Sequence, residues 1–120
     1  MLDLESVRQE ASTATAETIA AEARRGNPLA LQTYRDVGRH VGRAASWAAN
    51  LINPDKIVIG GGVSGAFDHF YPSLWETFQS CLFKQTNGEL TVEKTGLGYE
   101  AGLFGAASLA CDNPYQLDGR

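Results

Sequence analysis

Residues 56–65 read Lys-Ile-Val-Ile-Gly-Gly-Gly-Val-Ser-Gly, and this stretch decides the interpretation of the chain. The β-branched run 56–59 follows a turn sequence and precedes three glycines, which predicts a short buried strand. A backbone without β-carbons adopts angles, or permits an approach, that side chains would block. Ligands of open α/β sheets bind at the carboxyl ends of strands. The stretch therefore predicts either a tight strand-to-helix turn or the edge of a ligand site.

Two helices are predicted before this strand. Residues 3–25 are rich in Ala and Glu, and the Gly-Asn-Pro sequence at 26–28 predicts the end of one helix and the start of the next. The second helix has apolar residues at spacings of three and four, namely Tyr34, Val37, Val41, Ala44, Ala48 and Leu51. Gly38 and Gly42 share one face of it. An internal glycine costs about 1 kcal/mol relative to Ala, so we expect another backbone to approach there.

A helix, a strand and a second helix are predicted after the glycines. Apolar spacing predicts a main helix near residues 72–83, with Pro72 in its first turn, and leaves open a short turn of helix before it. A weaker strand is predicted at 89–95, and a helix of small residues at 101–110. A strand–helix–strand unit favours parallel pairing of the two strands with a right-handed crossover.

The predicted fold class is therefore α/β, with helices packed on a small parallel sheet of about two strands. At 120 residues the chain has the size of a single domain, 1–120, and we expect its tail, 112–120, to be frayed. Two strands do not make a self-sufficient sheet. We therefore expect the sheet to be completed by another chain segment or by a second copy.

Composition argues against several classes of protein. The net charge is −4 and the basic residues are scattered, so no nucleic-acid partner is expected, and the face formed by Arg35, Arg39 and Arg43 is predicted to be solvated. Cys81 and Cys111 form no Cys-x-x-Cys pair, so no metal site is predicted. Cys81 is predicted to be a buried free thiol in a reducing cytoplasm. No apolar run reaches the length of a membrane span, so no membrane association is expected.

The glycines also fit a dinucleotide fingerprint formally, because Gly60, Gly62 and Gly65 have the GxGxxG spacing between a strand and a helix. That fingerprint belongs near the start of a sheet with further βαβ units, whereas two predicted helices precede it here. It remains an alternative, as does a turn without any ligand.

Three segments resemble the ROK family of sugar kinases, such as glucokinases, and sugar-responsive repressors. Residues 20–30 read Ala-Ala-Glu-Ala-Arg-Arg-Gly-Asn-Pro-Leu-Ala. Residues 50–64 read Asn-Leu-Ile-Asn-Pro-Asp-Lys-Ile-Val-Ile-Gly-Gly-Gly-Val-Ser, and residues 97–107 read Leu-Gly-Tyr-Glu-Ala-Gly-Leu-Phe-Gly-Ala-Ala. Their order and spacing are those of the C-terminal portion of that family. The resemblance implies part of an actin-like ATPase (ribonuclease H-like) lobe, which would be the C-terminal lobe of a sugar kinase.

In that family ATP with Mg²⁺ and a hexose bind between two lobes. The resemblance implies that Gly60, Gly61 and Gly62 contribute to the adenosine side of the nucleotide site, and that segment 98–105 packs tightly near it. The family's phosphate loop, aspartate base and zinc motif lie upstream of the matched portion. We therefore expect an adenine nucleotide as partner, hexose only with that upstream part, a homo-oligomer, and no catalysis by this chain alone.

Two non-enzymatic alternatives stay open. One is a remnant of the effector domain of a ROK-type repressor, which shares the fold. The other is a stand-alone dimerisation module that uses the Gly38/Gly42 face or the apolar helix between Phe70 and Phe83.

Overall fold

The computed structural model describes residues 14–83 and 88–111. Six regular elements are α1 (Ala16–Arg24), α2 (Pro28–Ile52), β1 (Lys56–Ile59), α3 (Phe67–Cys81), β2 (Thr91–Lys94) and α4 (Ala101–Cys111). Two 3₁₀ turns, Gly62–Ala66 and Gly98–Glu100, precede α3 and α4. The predicted order of elements is confirmed. The predicted helix start near residue 3 and the predicted frayed tail 112–120 lie outside the described residues.

Side-chain caps and a left-handed glycine set the boundaries of the first two helices. Thr15 and Thr18 form a reciprocal capping box at the start of α1. Gly26 has a φ of 82°, a conformation that favours glycine, and it terminates α1. The Asn27 side chain then accepts hydrogen bonds from N–H groups of the first turn of α2, and Pro28 is the first helical residue. These caps make the junction between α1 and α2 predictable from local sequence.

The glycine face of α2 lies directly on the backbone of α3. A β-carbon on Gly38 would overlap the carbonyl oxygen of Phe70 and the Ser73 hydroxyl, and one on Gly42 would overlap the carbonyl oxygen of Leu74. The predicted close approach of another backbone is therefore confirmed. Because α3 of the same chain occupies this face, it is not available for the dimerisation alternative.

The buried face of α2 centres on the predicted glycine face and includes Tyr34, whereas the C-terminal part of the predicted apolar stripe is exposed. The buried face consists mainly of small residues, namely Ala30, Tyr34, Gly38, Gly42, Ala45, Ser46 and Ala49. Ala44 and Ala48 are exposed, and Leu51 is 85% exposed. Small side chains on this face let the backbones of α2 and α3 approach closely. Trp47, 67% exposed, belongs to the uncovered apolar face.

The sheet consists of β1 and β2, which pair in parallel with Lys56 opposite Thr91. This confirms the predicted pairing, with α3 in the crossover. Prediction of a buried strand at 56–59 is wrong, because the burial alternates and Val58 is 56% exposed. Among the described residues β1 pairs with β2 alone, and the helical core covers only the face that carries Ile57 and Val92.

A cross-strand ion pair lies on the open face of the sheet. The Lys56 ammonium donates to the Glu93 carboxylate at 3.0 Å, and the Thr91 hydroxyl donates to the same carboxylate at 3.1 Å. These hydrogen bonds, that from Lys56 first, hold the pKa of Glu93 below its ordinary value. The pair is exposed, so its contribution to stability is small.

Helix α3 begins five residues earlier than predicted, at Phe67, which places Pro72 inside the helix rather than in its first turn. Pro72 cannot donate to the carbonyl of Asp68. Both residues are exposed, where water can replace the lost bond. The 3₁₀ turn Gly62–Ala66 continues without a break into α3, so the helix begins at Phe67.

The other end of α3 is tied to α2. The Asn50 amide donates to the carbonyl of Cys81 and accepts from the N–H of Phe83, both at 2.9 Å. Cys81 is half-buried, so the prediction of a buried thiol is corrected: the helix end lies at the edge of the core, which centres on Phe70, Leu74 and Phe78.

We predict that Gly42→Ala lowers the free energy of unfolding by about 1–3 kcal/mol, because its methyl group forces α2 away from the Leu74 carbonyl. This loss should exceed the gain in helix propensity of about 1 kcal/mol. Gly105→Ala is the matched control: it lies in exposed α4, where a β-carbon would meet no atom within 4 Å, and it should be neutral or stabilising. Urea unfolding of both variants checks this, and equal stability would contradict the packing argument.

Candidate functional site

The backbone turns after β1, and only one position of this turn has a conformation that requires glycine. Gly61 has φ 89° and ψ −175°, a region open essentially to glycine alone. Ser64 fixes this conformation, since its hydroxyl donates to the Gly61 carbonyl at 2.6 Å and its N–H donates to the same oxygen at 3.0 Å. Ser64 is 2% exposed, so the turn is anchored in the core while its outer surface stays bare.

Each glycine of the turn has room for a β-carbon. A β-carbon on Gly62 would lie 3.4 Å from the Tyr99 ring, and one on Gly60 would lie 3.6 Å from the Thr95 methyl, both ordinary contacts. One on Gly61 or Gly65 would meet no atom within 4 Å. Packing among the described residues therefore does not explain why Gly60 and Gly62 lack side chains.

A pocket of about 310 Å³ lies between this turn and α1. The turn supplies an apolar wall that includes Gly62, Val63 and Gly65, while α1 supplies Glu17 and Arg24 from the opposite side. Of the three predicted site residues, Gly62 lines the pocket, and Gly60 and Gly61 lie immediately before it in the turn. The predicted glycines and the pocket thus meet at one place, which makes it the candidate site.

Tyr34 of α2 completes the pocket lining. It is 5% exposed, its hydroxyl donates to the Ala16 carbonyl at 3.4 Å, and its ring lies 5.7 Å from that of His69 between centroids. Burial raises the pKa of Tyr34, and the nearby charge of Arg24 partly opposes that rise. Tyr34 therefore stays a neutral phenol and connects α1, α2 and α3 beside the pocket.

Glu17, Arg24 and Tyr34 were not predicted as site residues. Positions 17 and 24 are two helical turns apart and so share one face of α1, with about 10 Å between their Cα atoms. That spacing is common to most surface helices, so it was not a signal for a site. Only the tertiary arrangement, in which α1 packs on α2 and faces the glycine turn across the pocket, brings these residues together.

The site lacks groups for metal binding or phosphate transfer in the part of the chain that the structure describes. No three His, Cys, Asp or Glu residues there lie close enough to hold a metal ion. Asp36-Val37-Gly38 has an Asp-x-Gly spacing, but it lies within α2, where Asp36 pairs with Arg39 at 2.9 Å. Gly38 is packed against α3, so this triplet is not a phosphate loop.

Segment 98–105 lies beside the glycine turn through Tyr99 and Ala101, but its glycines are not tightly packed, contrary to expectation. A β-carbon added to Gly98, Gly102 or Gly105 would meet no atom within 4 Å, and α4 has no buried residue. Helix α4 has no charged side chain either, and a helix that is apolar on all sides is usually enclosed by protein. No other described element covers α4.

Among the helices of residues 14–83 and 88–111, none combines the length and the apolar character that a membrane span needs.

We predict that Gly61→Ala and Gly62→Ala, neighbouring variants with the same added methyl group, differ in their effect. Gly61→Ala should lower the free energy of unfolding by about 1–3 kcal/mol, because alanine is strained at that φ. Gly62→Ala should change it by no more than about 0.5 kcal/mol. Thermal and urea unfolding of both variants provide the comparison. A Gly61→Ala variant as stable as wild type would disprove the turn geometry.

We predict that Tyr34 makes stability fall in alkaline solution. Since the folded pKa is raised above the ordinary value of 10.0, the unfolded chain loses this proton first. The stabilisation is complete below the ordinary value and is lost as pH rises through the folded pKa. Urea unfolding between about pH 8 and pH 11 should show a steeper decline for wild type than for Tyr34→Phe. Parallel declines would refute a buried phenol.

Comparison with known proteins identifies the family, since residues 4–113 match the ROK family. The repressor Mlc of Escherichia coli is 32% identical over 78% of this chain and 23% of its own length. The Streptomyces coelicolor glucokinase is 32% identical over 77% of this chain and 29% of its own. A Streptomyces griseus ROK glucokinase, solved with glucose and AMPPNP, superposes with a TM-score of 0.70 at 31% identity over 78% of this chain and 30% of that one. This chain spans less than a third of those curated relatives, and it belongs to the ROK family.

Proposed function

We propose that this chain forms the adenosine-facing surface of the ATP site of a ROK-family sugar kinase. The observation that carries the proposal is the bare turn at Gly60, Gly61 and Gly62, which opens onto a pocket although packing demands no bare backbone at Gly60 or Gly62. A flat base and ribose can lie against such a backbone. A ROK glucokinase of similar structure has been solved with an ATP analogue, which supports a nucleotide as the ligand.

The pocket fits the nucleoside end of ATP better than the whole molecule. Its volume of about 310 Å³ is at the lower end of the range for small-molecule sites, roughly 300–1,000 Å³. Its apolar wall suits the face of a base, whereas Glu17 would repel a triphosphate. No metal cluster is formed by the described residues, so Mg²⁺ and the phosphates require groups from elsewhere in a complete kinase.

We propose further that hexose phosphorylation needs the parts of ROK kinases that this chain does not match. Phosphoryl transfer depends on a positioned base and on charge stabilisation around the phosphates, with Mg²⁺ bridging them. The candidate site provides only a carboxylate and a guanidinium on one helix as charged groups.

We expect no nucleic-acid partner for this portion. Self-association is expected as well, because Trp47, Leu51 and Leu109 are apolar and exposed.

A second candidate is the effector domain of a ROK-type transcriptional repressor. Mlc and NagC of Escherichia coli are 32% and 33% identical to this chain over most of its length, as close as the glucokinases. In that case the same turn would be a structural remnant, and no ATP would bind to it.

We predict that ATP added at millimolar concentration shifts the amide resonances of Gly61 and Gly62 in ¹H–¹⁵N spectra. Amide shifts are the better reporter, because neither Trp47 nor Trp75 lines the pocket. Gly62→Val should weaken ATP binding by about tenfold, because it replaces bare backbone in the pocket lining with a branched side chain. Gly105→Ala, on α4 away from the pocket, is the control and should bind as wild type does.

Absence of any ATP-dependent shift in a folded sample would reject the nucleotide site and favour the repressor candidate. A coupled assay with glucose, ATP and Mg²⁺ completes the test. We expect no glucose phosphorylation above background, and measurable turnover would overturn the proposal that this chain alone is inactive.

A further inference from the structure

We propose that Glu17 reads the base, and that it selects purine nucleotides with an exocyclic amino group. This inference rests on the proposed nucleotide site and assigns a specificity role to one residue within it. Glu17 is the only carboxylate that lines the pocket, and it faces the glycine turn from the first turn of α1.

The argument begins with the side chains that are able to hydrogen-bond inside the pocket, which are Glu17, Arg24 and Tyr34. The Tyr34 hydroxyl already donates to the carbonyl of Ala16. The Arg24 guanidinium can only donate, and the Glu17 carboxylate can only accept. The pocket therefore presents one charged side chain that only accepts and one that only donates, beside a neutral phenol whose oxygen can still accept.

The parts of a purine nucleotide place different demands on these two side chains. Ribose hydroxyls both donate and accept, so either side chain serves them, and ring nitrogens that accept can be met by Arg24. An exocyclic amino group of the base presents only N–H donors at its edge. Glu17 and the neutral Tyr34 hydroxyl are the pocket side chains that can accept from that group, and the charge-assisted hydrogen bond to the Glu17 carboxylate is the stronger of the two. Glu17 is exposed, so we expect its preference for the amino group to come from the charge-assisted hydrogen bond itself.

Glu17 is also available for this role. Among the described residues it makes no hydrogen bond or ion pair, whereas Glu22 on the same helix is bound to Arg25 at 2.9 Å and to Asn27 at 3.2 Å. An acid in the first turn of a helix also stabilises the helix dipole. That contribution would be independent of the base, which makes the two roles separable by experiment.

The experiment compares ATP with purine riboside triphosphate, which lacks the 6-amino group but carries the same ribose and phosphates. Both are titrated into wild type and into Glu17→Met, a variant with an unbranched side chain of similar length that favours helix, with the amide shift of Gly62 as the readout. Repulsion between the carboxylate and the triphosphate is the same for both ligands, so it cancels in the ratio of their dissociation constants. Glu76→Met, an exposed change on α3, is the matched control.

We expect wild type and Glu76→Met to bind ATP about five- to tenfold more tightly than the analogue, and Glu17→Met to bind both ligands equally. If ATP binds but its advantage over the analogue survives in Glu17→Met, Glu17 does not read the base, and the proposed nucleotide site still stands. If folded wild type binds neither nucleotide, both proposals fail.

Discussion

The contact between the backbones of α2 and α3 is the constraint on which the rest of the structure depends. Gly38 and Gly42 leave no room for a β-carbon beside Phe70 and Leu74, so the two helices have one close register. That register holds Tyr34, one turn before Gly38, against His69 and Phe70. It thereby fixes the start of α3, and with it the glycine turn, next to α1.

The candidate site follows from this arrangement as a surface that three separate elements share. Ser64 anchors the turn in the core, Tyr34 joins the helices, and α1 closes the pocket with Glu17 and Arg24. In the proposed function these elements would contact a nucleoside, and the transfer of a phosphate would depend on other parts of a kinase. The uncovered apolar surfaces of α2 and α4 agree with a chain that contacts further protein when it functions.

Much of the fold could be predicted because its signals are local. Gly26, Asn27 and Pro28 end one helix and begin the next through their own conformational limits, and the β-branched run after Asp55 forms a strand. The start of α3 was missed because proline is most common in the first turn of a helix. Here Pro72 lies inside α3, and water can hydrogen-bond to the carbonyl that it leaves without an N–H donor. The exposure of β1 was missed because burial depends on what covers both faces of the sheet.

What the sequence by itself determined is the order of helices and strands, the approach of a second backbone to Gly38 and Gly42, and a bare turn after β1. These follow from steric limits that act within a few residues. The tertiary structure decided that Ala44, Ala48 and Leu51 of α2 stay exposed, and which distant residues meet the turn. Glu17, Arg24 and Tyr34 reach the pocket only because the packed helices bring them there, and contacts between positions far apart in the chain have no local signature.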